Sequence, residues 1–225
     1  KETTPMTIPA PLFPGARVAL VAPASAVPAE KLPRAQDFVR SLGLEPRDGL
    51  REVLKTMSLY QAACFYQREY QVPGTTEEIM AGVNGMIEHF YRNEVQVKPG
   101  VPHFLEALRC RDVRLCIATA TDLHLVEAAL KRTGIRPYFG AVFTCTSVGH
   151  GKDEPHIFHT ALDFLGTSQR YTLVLEDALY AIRTAKAAGY TVAGVLDPSE
   201  PDQAAVKNCC DYYIDDYRKA KGILL

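Results

Sequence analysis

The chain has 225 residues, of which 47% are hydrophobic and 23% are charged, and its 25 basic and 26 acidic residues give a net charge of −1. A chain of this size buries a full hydrophobic core without disulfides or structural metal. The balanced charge gives no electrostatic basis for binding nucleic acid or an anionic membrane, and no apolar run approaches the roughly 20 residues that span a bilayer. We therefore expect a globular protein without nucleic-acid or membrane partners, and composition indicates no oligomeric state.

The N-terminal residues and the cysteines bear on where the protein resides. Residues 1–13, with Pro5, Pro9 and Pro11, predict a loose arm, and they lack the apolar segment of a signal peptide. The six cysteines show neither CxxC pairs nor the spacing of zinc ligands. We therefore predict reduced thiols in a cytoplasmic protein.

A first β-α unit follows the arm. Arg17–Ala22 is an apolar run of strand length, and Ala29–Leu42 has helical spacing and ends at Gly43. Pro33 falls in the first turns of this helix, so the pattern does not define where the helix starts. The unit predicts one strand and one helix of an α/β sheet.

Residues 46–96 contain helical patterns and no strand of comparable strength. The predicted helices are Leu50–Met57, Leu59–Tyr70 and Thr76–Tyr91. Pro73-Gly74 separates the last two, and Pro99-Gly100 marks the return to alternating strands and helices. Periodicity alone leaves two arrangements open, namely a helical insert that covers the strand ends and helices that pack on the core.

From residue 98 onward, strands alternate with helices. The predicted strands are Val113–Ala118, Ala141–Thr144, Thr172–Leu175, Thr191–Leu196 and Tyr212–Ile214. The predicted helices, each followed by a glycine, are Leu123–Thr133, Pro155–Leu165 and Ala178–Ala188. This alternation predicts an α/β fold with a parallel sheet covered by helices on both faces, in which ligands bind at the carboxyl ends of the strands.

Thr119 directly follows a predicted strand and precedes Ala120, Thr121 and Asp122. A hydroxyl at a strand end, together with the free N–H groups of the following helix, can donate to phosphate oxygens. The alternative is an ordinary helix cap by Thr121 or Asp122.

Lys152 lies in the sequence His-Gly-Lys-Asp-Glu-Pro of residues 150–155, in the turn before a predicted helix. A lysine in this place can neutralise a phosphate and a nearby carboxylate. The alternative is a solvated surface lysine, which is the usual situation for this residue type.

Glu176 and Asp177 come at the end of the apolar strand that starts at Thr172. Two carboxylates at the tip of a buried strand need a compensating partner, because burial of an unpaired charge is costly. Mg²⁺ takes oxygen ligands and often binds only one or two carboxylates, so it suits this pair. The alternative is a favourable interaction with the dipole of the helix that starts at Ala178.

These three elements, in this order, resemble the haloacid dehalogenase-like (HAD) superfamily, in particular its phosphatase and β-phosphoglucomutase-like branch with a helical cap. The resemblance covers about residues 42–196 and extends toward the end of the chain. The matching segments are Cys-Ile-Ala-Thr-Ala-Thr at 116–121, Gly-Lys-Asp-Glu-Pro-His-Ile-Phe at 151–158, Leu-Val-Leu-Glu-Asp at 173–177, and the small residues Ala185, Ala187, Ala188 and Gly189.

The resemblance implies a Rossmann-like parallel sheet with a small helical cap. The α/β core would then comprise residues 14–45 and 97–225, and the cap would comprise residues 46–96.

The resemblance also implies roles for individual residues. Thr119 and Ala120 would bind the transferring phosphoryl group, and Lys152 would bind it and stabilise its charge, so Thr119 and Lys152 are the catalytic candidates. Asp177, supported by Glu176, would hold Mg²⁺. The implied ligand is a small phosphorylated metabolite, and no particular substrate is indicated.

The sequence departs from this resemblance at the first strand. The family's first strand ends in Asp-x-Asp-Gly-Thr, whose first aspartate becomes the aspartyl-phosphate and whose second is the general acid/base. Residues 21–24 here read Val-Ala-Pro-Ala, and the motif occurs nowhere in the chain. Ser25 and Ser41, the nearest hydroxyls, have no evident base beside them.

The missing motif changes the functional prediction. We expect a Mg²⁺-dependent phosphatase of this family with weakened Mg²⁺ affinity and very low or absent turnover. The alternative is a non-catalytic module that binds phosphate or a phosphorylated metabolite through Thr119 and Lys152.

Residues 11–46 carry a second resemblance. Residues 14–25 read Pro-Gly-Ala-Arg-Val-Ala-Leu-Val-Ala-Pro-Ala-Ser, and together with a helix ending at Leu42-Gly43 they look like the opening of the LD-carboxypeptidase (muramoyl-tetrapeptide carboxypeptidase) family. The serine, acid and histidine of that family lie downstream of this opening, and nothing here matches them, so we expect no peptidase activity. We interpret the segment as a β-α unit of another family that stands where the first unit of a HAD core belongs.

Overall fold

Six parallel strands form a single sheet within the residues that the structure describes. The computed structural model describes residues 17–20 and 35–220, with side chains for 36–50 and 53–220. The strands are β1 (Arg17–Leu20), β2 (Arg114–Thr119), β3 (Ala141–Thr144), β4 (Thr172–Glu176), β5 (Thr191–Val195) and β6 (Tyr212–Ile214). Their order across the sheet is β3-β2-β1-β4-β5-β6, and every neighbouring pair is parallel. The predicted α/β class is confirmed.

The helices of the described residues connect and cover these strands. They are α1 (Ala35–Ser41), α2 (Leu50–Leu54), α3 (Leu59–Tyr70), α4 (Thr76–Asn93), α5 (Val101–Arg109), α6 (Leu123–Arg132), α7 (Cys145–Val148), α8 (His156–Leu165), α9 (Leu179–Ala187) and α10 (Gln203–Cys209). The predictions missed α5, α7 and α10, placed the end of α2 at Met57 and stopped α4 at Tyr91. Strand β2 also runs one residue further than predicted, because Thr119 pairs with Thr144 of β3.

Strand β1 occupies the middle of the sheet, between β2 and β4. Its last described residue, Leu20, pairs with Ile117 on one side and with Leu175 on the other. Strands β2 and β3 lie on one side of β1, and the later strands β4, β5 and β6 lie on the other, so the strand order reverses at β1. In parallel sheets such a reversal opens a crevice at the carboxyl ends of the strands. The predicted arm at residues 1–13, the predicted end of the first strand at Ala22 and the predicted helix start at Ala29 lie outside the described residues.

The sheet has hydrophobic clusters on both faces. Leu173 and Leu175 of β4 lie in a buried cluster with Phe104 of α5 and Leu130 of α6. The intervening Val174 belongs to the cluster on the opposite face, which includes residues of α8 and α9. Because successive strand residues point to opposite faces, this division explains why β4 is apolar at every position from 173 to 175.

Helices α2, α3 and α4 share a hydrophobic cluster of their own, separate from the two clusters of the sheet. Its buried members include Ala63, Tyr66 and Ile79. The side chains of Phe38 and Val39 from α1 also belong to it. The cluster therefore runs across the predicted boundary between residues 45 and 46, and that boundary stays a prediction.

Two features bear on membranes and redox chemistry. No helix among residues 17–20 and 35–220 is both long and apolar enough to cross a bilayer. The six cysteines are free thiols, and they are Cys64, Cys110, Cys116, Cys145, Cys209 and Cys210.

Gly100 offers a test of the packing beneath the sheet. It precedes α5 with a φ of 87°, and a Cβ there would lie 2.6 Å from the backbone nitrogen of Arg218. We expect Gly100→Ala to lower the free energy of unfolding by about 1–3 kcal/mol beyond the cost of left-handed strain. Gly134→Ala is the matched control, because Gly134 has a φ of 74° with nothing within 4 Å of a Cβ, so it should lose only about 1 kcal/mol. Urea unfolding measures both variants. Equal losses of unfolding free energy in Gly100→Ala and Gly134→Ala would contradict the close approach of Arg218 to Gly100.

Candidate active site

The polar residues predicted from sequence lie at the carboxyl edge of the central strands. Thr119 is the last residue of β2, and Glu176 is the last residue of β4. Strand β1 separates these two strands. The crevice edge is thus bordered by a hydroxyl on one side of β1 and by the Glu176-Asp177 pair on the other.

Lys152 and Glu176 form a buried ion pair. Lys152 Nζ donates to Glu176 Oε2 at 2.9 Å, and the side chains are 7% and 1% exposed. The other carboxylate oxygen, Oε1, accepts from the backbone N–H groups of Asp177 and Ala178 at 3.1 and 3.0 Å. The alternative of a solvated surface lysine is therefore wrong. Both carboxylate oxygens of Glu176 accept hydrogen bonds from the protein itself.

Asp177 lies beside a second buried lysine. Lys98 Nζ is 3.8 Å from Asp177 Oδ2, donates to the Leu196 carbonyl at 3.0 Å and forms a short hydrogen bond with Asp197. Burial raises the pKa of the Asp177 carboxyl well above its usual value, and the Glu176 charge adds to this, whereas Lys98 opposes it. About a fifth of the Asp177 side chain, 22%, is still exposed.

The turn after β2 leaves the start of α6 without a side-chain cap. Thr119 Oγ1 accepts from the Thr121 backbone N–H at 3.1 Å, which leaves the hydroxyl proton free to donate. Asp122 occupies the cap position, but its side chain makes no cap hydrogen bond. Its oxygens instead accept from Asn84 Nδ2 and Thr146 Oγ1, both at 2.6 Å. The alternative of a cap by the Asp122 side chain is wrong, and the first N–H groups of α6 remain available to an anion.

Helices α2 to α4 contact the loops at this edge. Asn84 of α4 bonds Asp122, and Tyr91 of the same helix bonds Thr121 at 3.0 Å. Lys55 lies in the loop after α2, and its Nζ pairs at 3.2 Å with Oε2 of Glu200, a residue that follows β5. The helical segment thus lies against the turns that follow β2 and β5.

A cavity of about 250 Å³ lies between these helices and Ala120. Apolar side chains of α3 and α4 line it, among them Tyr66, Val83 and Met86. Ala120, which lines the cavity, is exposed and directly follows Thr119 in the chain.

The donor set suits a hard cation at one carboxylate. Among the described residues no group donates a hydrogen bond to the Asp177 carboxylate, which lies 3.8 Å from Lys98 Nζ. Burial leaves its negative charge undercompensated and raises its pKa. A bound Mg²⁺ would supply that compensation through oxygen ligands. Because both oxygens of Glu176 already accept hydrogen bonds, its support of a metal stays a prediction.

Sequence reasoning overlooked Lys98 and Glu200. Glu200 is 6% exposed, and its Oε2 accepts from the Leu179 N–H at the start of α9 as well as from Lys55. Lys98 directly precedes Pro99-Gly100, which was interpreted only as a boundary. A single lysine or glutamate carries no periodic or motif signal, so only the three-dimensional contacts reveal these two residues.

Comparison with known families and curated proteins points to one group of hydrolases. The family model for haloacid dehalogenase-like hydrolases matches residues 18–189. A phosphorylated carbohydrates phosphatase of Thermotoga maritima is 23% identical over 150 residues, which is 67% of this chain and 63% of that protein. The protein CbbY of Rhodobacter capsulatus is 29% identical over 137 residues, 60% of each chain. The match spans about three fifths of the length of these relatives.

Solved structures share the fold over nearly the whole chain. CbbY from Rhodobacter sphaeroides in complex with phosphate superposes with a TM-score of 0.76 at 21% identity, covering 93% of this chain and 99% of that one. A β-phosphoglucomutase from Clostridium difficile gives 0.69 at 15% identity, covering 91% and 92%. At these identities the likeness establishes the fold alone.

Removing one member of the buried ion pair should destabilise the protein. We expect Lys152→Met to lower the free energy of unfolding by about 3–5 kcal/mol, because Glu176 would remain buried without its counter-charge. Lys186→Met is the matched control, since the Lys186–Asp211 pair is 32% and 34% exposed and should contribute less than about 1 kcal/mol. Chemical denaturation measures both, and similar small losses would contradict a buried charge pair.

Proposed function

The chain belongs to the haloacid dehalogenase-like hydrolase family, and we propose that it binds the phosphoryl group of a small phosphorylated metabolite but hydrolyses it very slowly. The observation that carries this proposal is the buried Lys152–Glu176 pair beside Asp177, at the carboxyl edge next to a central strand. The catalytic limit follows from the sequence of residues 17–25, which contains no carboxylate.

Lys152 would supply the positive charge for the phosphoryl group. One of the three N–H donors of its ammonium group is used by Glu176, so two remain for phosphate oxygens. Because the pair is buried, the attraction between the ammonium and a phosphate is screened less than it would be in water. Glu176 would thus hold the lysine in place rather than bind substrate.

Thr119 and Ala120 would bind the phosphoryl group from the other side of β1. The Thr119 hydroxyl is free to donate, and the uncapped start of α6 presents backbone N–H groups. Charge-assisted hydrogen bonds of this kind are roughly twice as strong as neutral ones. This arrangement positions the group without needing any base.

Asp177, with support from Glu176, would hold Mg²⁺ at the same edge. When bound, the ion would neutralise phosphate charge and orient the oxygens for transfer. Lys98 would keep Asp177 in place through its contact at 3.8 Å. Because Asp177 is the one carboxylate of this pair that accepts no hydrogen bond from the described residues, the affinity for Mg²⁺ should be low.

The chemical step lacks a nucleophile. The family's reaction begins with attack by an aspartate that follows the first strand, and residues 21–24, which lie outside the described residues, read Val-Ala-Pro-Ala. An apolar side chain forms no bond to phosphorus and accepts no proton. Loss of a covalent nucleophile removes most of the rate when nothing replaces it.

The helical segment at 46–96 would act as a cap that encloses the rest of the ligand. Its contacts with Thr121, Asp122 and Glu200 support this role, as does the cavity that reaches Ala120. A mutant of CbbY from Rhodobacter sphaeroides, solved in complex with xylulose-(1,5)bisphosphate, is a structural neighbour at a TM-score of 0.74 and 22% identity. That likeness supports a phosphorylated small molecule and does not single out one substrate.

A second candidate is a module that binds phosphate or a phosphorylated metabolite with no turnover at all. The same residues, Thr119 and Lys152, would carry the binding. The absence of a carboxylate from residues 17–25 favours it.

Hydrolysis of p-nitrophenyl phosphate, with and without Mg²⁺, separates the candidates. We expect turnover far below that of the family's active phosphatases, and Asp177→Asn should remove whatever Mg²⁺-dependent rate exists. Rates for the wild type equal to those of Asp177→Asn would favour the binding module. Fast turnover that requires both Mg²⁺ and Asp177 would reveal another nucleophile and contradict the impaired site.

Binding of inorganic phosphate tests the site independently of turnover. We expect Thr119→Val to weaken phosphate binding by roughly ten- to a hundredfold, because a hydrogen bond to a charged group contributes about 1.5–3 kcal/mol. Thr133→Val is the matched control, because the Thr133 hydroxyl donates to the Ala129 carbonyl at the far end of α6. Calorimetric titration measures both, and equal affinities would refute the role of Thr119.

A further inference from the structure

Three potential metal ligands lie close together on the surface, in the segment that carries Lys152. Nδ1 of His150 is 3.2 Å from Oε2 of Glu154, and Nε2 of His156 is 3.2 Å from the same oxygen. One ligand atom from each of the three residues lies within 4.8 Å of the others. The cluster involves neither Asp177 nor Glu176.

The spacing matches the coordination sphere of a borderline divalent metal. Ligand atoms about 2.1 Å from a tetrahedral Zn²⁺ are separated by roughly 3.4 Å, close to both observed spacings of 3.2 Å. Two imidazole nitrogens and one carboxylate oxygen are a ligand set that Zn²⁺, Co²⁺ and Ni²⁺ accept more readily than Mg²⁺ does. Three protein ligands leave a fourth position for water.

The local backbone holds the three side chains together before any ion binds. The Glu154 N–H donates to the Gly151 carbonyl at 3.3 Å, which closes a turn, and Pro155 then leads into α8 at His156. The two imidazole rings stack with centroids 3.9 Å apart and planes inclined by 28°. Apart from this stacking, the ring nitrogens of both histidines pair with no polar side chain of the described residues except that of Glu154.

We propose that His150, Glu154 and His156 bind one divalent transition metal of the zinc class, at a site distinct from that of Mg²⁺. The ligands lie on both sides of Lys152 in the sequence, so the bound metal links the two ends of the turn that presents this lysine. An ion that binds the folded chain and not the unfolded one also raises the stability of the fold by mass action.

Cobalt is the probe for this site, because its visible absorption reports the ligand type. Titration of the whole chain with Co²⁺ should show one equivalent bound through nitrogen and oxygen, without thiolate charge-transfer absorption. His156→Ala and Glu154→Gln should each weaken Co²⁺ binding by about tenfold or more, since each removes one of three ligands. These side chains are 49% and 45% exposed, so neither substitution should disturb folding.

His103→Ala is the matched control, because His103 is an exposed histidine on α5 outside the cluster. It should bind Co²⁺ as the wild type does, and so should Asp177→Asn, which separates this site from the phosphate site. The proposal is overturned if no Co²⁺ binds, if His156→Ala binds it unchanged, or if a thiolate band shows that cysteines hold the metal. None of these outcomes depends on whether the chain hydrolyses phosphate esters.

Discussion

The ion pair between Lys152 and Glu176 is the interaction around which the edge of the sheet is organised. Two opposite charges in a buried place are tolerated only when each is paired and its remaining hydrogen-bonding capacity is largely used. Glu176 meets this condition because one oxygen takes the lysine and the other takes two backbone N–H groups. The turn at 150–155 and the start of α9 are therefore joined through one carboxylate.

Lys98 and Asp197 form a second charged pair. Asp177 adjoins both pairs, because it follows Glu176 in the chain and its Oδ2 lies 3.8 Å from Lys98 Nζ. Lys98 also bonds the carbonyl of Leu196, so it links the residues after β5 to those after β4. Asp177 receives no comparable bond, and its pKa is raised as a result of burial and the charge of Glu176. The edge thus holds two paired sets of opposite charges beside one undercompensated carboxylate, an arrangement that favours a cation there.

Strand β1 shows that the fold requires an apolar central strand but no catalytic side chain at its end. The centre of a parallel sheet demands an apolar strand that pairs on both sides, and Arg17–Leu20 does so with β2 and β4. Neither pairing depends on a carboxylate at the end of the strand. A β-α unit without the family's aspartates can therefore preserve the architecture, so the fold by itself does not establish the activity.

The α/β class, the positions of Thr119 and Glu176 at the ends of β2 and β4, and most helices and strands were predictable from the sequence alone. Apolar runs, glycine stops and strand-end polar residues are local signals, and β3, β6 and α3 have the predicted bounds. Helices α5, α7 and α10 were missed, since no motif singled out their short patterns. The tertiary structure alone decided that Lys152 is buried rather than solvated, that Asp122 bonds Asn84 instead of capping α6, and that Lys98 and Glu200 belong to the edge. Each of these depends on a contact between residues far apart in the chain, and burial is set by what packs on a side chain from elsewhere, which spacing within one segment does not encode.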